Sequence, residues 1–161
     1  MEHSVTGKIN LLATIAPSSV REIRATRRMN QLKGQASDTL EGLLRPLVLV
    51  VDDDKEFRGI LHAHLQASEL CRAVAVASAT EALGVLTRDP VQLVVTDFHM
   101  PVMDGVALLR VVKKRWPGVI RVLMSGSHAS AVPRNELMAK FLRKHESLMV
   151  MTDALLGLIP I

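Results

Sequence analysis

The stretch LVVTDFHMPVMDG, residues 93–105, decides the fold. An apolar run leads straight into Asp97, and a Met-Pro pair and an Asp-Gly turn follow at once. A short unbroken apolar run suits a strand buried on both faces. A carboxylate at the end of such a strand is costly unless a partner meets it there. The rest of the chain has to supply that partner.

Working outward, the same kind of run recurs. LVLVV (47–51), CRAVAVA (71–77), VQLVV (91–95) and VIRVLM (119–124) read as strands, and AKFLR (139–143) as a weaker one. Helical spacing lies between them. Phe57, Ile60, Leu61 and Leu65 share a face within 55–68, with Asp54 as its cap. ATEALGVLTRD (79–89) is a short helix capped by Ser78 or Thr80. DGVALLRVVKKRW (104–116) is a helix stopped by Pro117 and Gly118. A further helix is expected across 129–138, and SLMVMTDALLGL (147–158) closes the chain. Strands alternating with helices imply a parallel sheet with helices on both faces.

Residues 1–45 read differently, as an N-terminal extension that is partly helical or disordered and ends in a linker, ahead of a domain at 46–161. SSVREIRATRRMNQLKG (18–34) predicts a helix, with Ser19 and Glu22 at capping-box spacing and Gly34 as its stop. GQASDTLEG (34–42) predicts the linker. Of the formal +4 charge, residues 1–46 hold seven Lys/Arg against four Asp/Glu, and the remainder is nearly neutral. REIRATRR (21–28) and KKRW (113–116) read as solvated helix surface, the latter set against the helix macrodipole, so no nucleic-acid partner is expected.

Composition narrows the classes. Among 161 residues 48% are hydrophobic but only 2% aromatic, with no Tyr and the single Trp116, so the core must be aliphatic and base stacking is disfavoured. Cys71 is the one cysteine, which forbids an intrachain disulfide and fits a reducing cytoplasm. INLLATIAP (9–17) is brief and interrupted by Asn10 and Thr14, and no apolar run reaches membrane-spanning length, so neither export nor a membrane is expected. His62 and His64 cannot share a helix face, which argues against a metal pair.

In sheets of this kind ligands bind beyond the carboxyl ends of the strands. There the sequence places Asp52, Asp53 and Asp54 after the first strand, Asp97 after the third, Ser125 after the fourth and Lys144 after the fifth. Clustered carboxylates raise one another's pKa unless a cation intervenes, and a hard, oxygen-seeking ion such as Mg²⁺ suits them. A carboxylate beside such an ion and a lysine is placed to attack phosphorus.

VLVVDDD (48–54), VVTDFHMPVMDG (94–105), VLMSGS (122–127) and FLRK (141–144) stand in the order found in one family. The chain resembles the receiver domain of two-component response regulators from about residue 46 to 159. The resemblance implies a flavodoxin-like, doubly wound five-stranded sheet of order 2-1-3-4-5. It implies Asp97 as phosphoacceptor and Asp53 as a direct Mg²⁺ ligand, with Asp52 acting mainly through water and the backbone carbonyl of His99 as a further ligand. Ser125 resembles the hydroxyl that binds the phosphoryl group, Lys144 the lysine that pairs with Asp97, and Phe141 the switch aromatic. The implied donor is a sensor histidine kinase or phosphotransfer protein, and the output is a changed protein contact.

Two features depart from the family. His145 stands where proline usually follows the lysine through a cis bond, and a strained cis bond is expected here too, at about 2.5–4 kcal/mol. The segment between Ser125 and Lys144 is short and holds Pro133, so its helix should be truncated and Phe141 should not switch in the ordinary way. The reading is a stand-alone receiver with an N-terminal extension that catalyses only its own modification. The alternative is a pseudo-receiver that binds partners without phosphorylation. A phosphohydrolase would need a carboxylate two residues after Asp97, where His99 stands.

Overall fold

The computed structural model describes residues 20–126 and 137–160. The chain divides between Glu41 and Gly42 into two compact units.

α1 runs from Val20 in the first unit to Leu44, past that boundary. The expected stop at Gly34 and the linker after it are overturned: both are helical. A glycine inside a helix costs only about 1 kcal/mol, and the Gln, Ala, Leu and Glu residues beyond it favour helix. Termination falls instead just before Pro46, which disfavours helix in the residue preceding it. Ser19 lies outside the described residues, as does most of the helix expected across 129–138.

The second unit alternates as expected: β1 (Leu47–Val51), α2 (Lys55–Ala67), β2 (Arg72–Val76), α3 (Ala79–Arg88), β3 (Val91–Asp97), α4 (Gly105–Arg115), β4 (Ile120–Ser125), β5 (Lys140–Arg143) and α5 (Leu148–Leu156). The strands form one parallel sheet of order β2-β1-β3-β4-β5. Every residue of β1 is buried, because the strand is covered on both faces. Leu47, Leu49 and Val51 pack toward α3 and α4, whereas Val48 and Val50 pack toward α2 and α5. The alternation of successive side chains across the sheet produces this division. One irregularity separates Leu47 from Val48 in the pairing with β3: Gln92 is skipped, and its side-chain oxygen accepts the Leu47 N–H instead.

β3 and β4 extend further than the apolar runs suggest. Thr96 and Asp97 pair with Leu123 and Met124, so the ladder carries a carboxylate as its last residue. Asp54 caps α2 as expected, Ser78 rather than Thr80 caps α3, and Asp104, read only as part of a turn, caps α4. A Cβ on Gly105 would lie 2.1 Å from the carbonyl oxygen of Asp97, so only glycine lets α4 begin against the end of β3.

Candidate functional site

Register builds the site. Val51 is level with Thr96, so Asp52 and Asp97 are neighbours one step further along. Asp97 is level with Met124, which sets Ser125 just beyond it, and Ser125 is level with Arg143, which sets Lys144 next. Adjacent strands thereby deliver two acids, a hydroxyl and an ammonium to one rim.

Asp52 is fully buried and Asp97 nearly so, whereas Asp53 is exposed. Carboxylate oxygens of all three lie within 4.8 Å of one another. The Lys144 ammonium lies 2.7 Å from Oδ2 of Asp52 and 3.0 Å from Oδ1 of Asp97. Its backbone N–H donates to the Ser125 carbonyl at 3.0 Å. The short Lys144 contact uses one accepting position of Oδ2 of Asp52, a buried carboxylate oxygen that can accept a second partner. Oδ1 of Asp52 accepts the Asp54 N–H at 2.9 Å.

Burial pushes the Asp52 carboxyl above its ordinary value, and the nearby Asp97 charge adds to this, while Lys144 and the Asp54 N–H oppose it. For Lys144 burial alone would lower the pKa, but the close contacts and charges of Asp52 and Asp97 win and hold it above the usual lysine value. One cation among three clustered acids leaves an excess of negative charge. Together with the under-used oxygen of Asp52, this oxygen-only donor set fits a small divalent cation such as Mg²⁺.

The remaining expected residues fall as follows. Ser125 is buried at the end of β4. His99 lies in the loop beyond β3 with its ring edge-on to Phe98, centroids 4.4 Å apart. Phe141 is level with Leu123 on β5 and packs, half-buried, on the α3/α4 side of the sheet. His62 approaches the Ala73 carbonyl at 3.1 Å. Lys113 to Arg115 form the last turn of α4, with Arg115 over the Trp116 ring.

The cis bond expected before His145 is overturned: among the described residues every peptide bond is trans. The flexible stem of Lys144 reaches both acids with a trans bond to His145, without that strain. The sequence reading missed Phe57 and Arg58. Phe57 counted only as an apolar helix position, yet its ring centroid lies 5.0 Å from the Lys144 ammonium. Arg58 donates to the Asp52 carbonyl. Their one sequence signal was a place in the first turn after the acids.

The sequence profile of the response regulator receiver domain matches residues 48–155. The hydrogenase transcriptional regulatory protein HoxA of Cupriavidus necator is 40% identical over 79 residues, 49% of this chain and 16% of that protein. The C4-dicarboxylate transport transcriptional regulatory protein DctD of Rhizobium meliloti is 36% identical over 81 residues, 50% of this chain and 17% of that protein. The chain thus spans about a sixth of the length of these curated relatives. A response regulator receiver protein from Pseudomonas putida is similar in structure, with TM-score 0.62 and 30% identity over 68% of this chain and 93% of that one. Among the described residues no helix is long and apolar enough to cross a membrane.

Proposed function

The chain belongs to the response regulator receiver domain family, and from that premise we propose that Asp97 accepts a phosphoryl group from the phosphohistidine of a sensor histidine kinase or phosphotransfer protein. An Asp97 carboxylate oxygen attacks phosphorus; the O–P bond forms as the bond to the donor's imidazole nitrogen breaks. Lys144 neutralises charge on the transferring oxygens, and the Ser125 hydroxyl donates to one of them. Asp52, Asp53 and Asp97 would hold Mg²⁺, which supplies a second positive charge at the phosphoryl oxygens. Phosphorylation then shifts the balance between two surface states and so the affinity for a protein partner. The protein turns over no separate metabolite.

One observation carries the proposal: a single ammonium bridges Asp52 and Asp97 at 2.7 and 3.0 Å. Buried acids call for a compensating cation in any case, and one shared between two acids at the strand ends is also what phosphoryl transfer needs. The test is incubation with acetyl phosphate and Mg²⁺, read by intact mass. A gain of one phosphoryl group, absent in Asp97→Asn and in EDTA, is expected. An unmodified wild-type mass under these conditions would sink the proposal.

A further inference from the structure

We infer that Phe57 is a positioning residue for Lys144: its ring holds the ammonium where it reaches Asp52 and Asp97 together. The inference rests on the phosphoryl-transfer reading of the rim. Lys144 is a long, freely rotating side chain whose backbone follows β5 and is tied by the hydrogen bond to Ser125. Its side chain is only 17% exposed. Two ion pairs hold the ammonium toward the acids, at 2.7 and 3.0 Å. The Phe57 ring lies beside the same ammonium at cation–π distance, its centroid 5.0 Å away.

The backbone turn that carries the ring is fastened at both ends. The Asp54 side chain accepts the Phe57 N–H at 3.2 Å, and the Arg58 guanidinium donates to the Asp52 carbonyl. That turn is therefore fastened to the acidic rim, and the half-buried ring packs on the sheet face shared with α5. A leucine could fill similar space but has no negative π face for the ammonium to sit on.

The test uses the full chain and compares Phe57→Leu with Phe57→Tyr. In wild type the Lys144 ε-methylene protons are expected upfield of their ordinary NMR position, displaced by the ring. Tyr keeps that displacement and Leu loses it. Labelling of Asp97 by acetyl phosphate with Mg²⁺ should slow about two- to tenfold in the Leu variant and stay close to wild type in the Tyr variant, the range of a lost cation–π contact. An ordinary Lys144 position in wild type, or an unchanged rate in the Leu variant, overturns the inference. So does a rate loss shared by both variants that merely follows a lower melting temperature. If wild type takes no phosphoryl group, the phosphoryl reading falls by itself and the Lys144 NMR position alone decides the role of Phe57.

Discussion

A buried carboxyl whose pKa is held above its ordinary value reports a cost the fold carries. Asp52 is such a group, since burial raises its pKa above the unfolded value near 3.8. The folded state then binds the proton more tightly than the unfolded state. Stability from this group is complete below the unfolded value and is lost as pH rises through the higher folded value. Asp52→Asn removes the ionisation and keeps an oxygen for the Asp54 N–H. In EDTA, the stability of the Asn variant relative to wild type should therefore climb as pH rises from the unfolded value near 3.8 through the higher folded value. Each tenfold difference in proton affinity between folded and unfolded states contributes roughly 1.4 kcal/mol to that climb. Urea titrations across that range check it; a flat difference would refute the cost. Val102 is a second residue under strain, and it lies in the loop between Asp97 and α4. Its φ is 70°, a left-handed conformation hostile to a β-branched side chain, and it is fully exposed, so nothing is lost by trimming it. Val102→Asn should raise stability by about 1 kcal/mol in the same titrations. A lower midpoint for this variant would mean that its side chain makes a contact that offsets the strain.

Elements were legible where the apolar pattern was strong and misjudged where one residue was allowed to decide. The LVLVV run specified β1 because five successive apolar residues can be buried on both faces only in the middle of a covered sheet. The end of β3 was misjudged because Thr96 and Asp97 are polar, and their pairing with β4 is a tertiary fact that propensity does not contain. Gly34 misled in the opposite sense, as a breaker inside a run of helix formers. Gly105 was read as a turn residue, and its larger role is the contact of α4 with β3, where an added methyl would meet the Asp97 carbonyl at 2.1 Å and Leu123 at 2.9 Å. Gly105→Ala must push α4 away from the strand or bend the strand end. A loss of about 1–3 kcal/mol is expected, the usual cost of overpacking. Amide resonances from residues 97 to 99 should move with it. An alanine variant with wild-type stability and unmoved resonances would mean that the two elements part without cost.

For the receiver unit as a whole, the acidic rim and the aliphatic core are coupled through the sheet register. The sequence supplied the rim's acids and its lysine by position along the chain, but not the reach of Lys144 or the ring beside it, because neither backbone order nor spacing fixes side-chain direction. Since one sheet carries Asp52, Asp97 and Ser125 at its strand ends, unfolding scatters all three, and a cation held by the rim binds the folded state alone. Such binding stabilises by about 2.7 kcal/mol at a hundred times the dissociation constant. For a chain of this size that corresponds to a rise in Tm of roughly 5–10 °C. MgCl₂ at fixed ionic strength should raise the melting temperature of wild type by such an amount at neutral pH. Asp52→Asn and Asp97→Asn should each blunt the response, because each removes one of three charges. Scanning calorimetry in MgCl₂ against a matched NaCl control decides it. Equal rises in wild type and both variants would trace the effect to general screening, and the three acids would then not form a cation site.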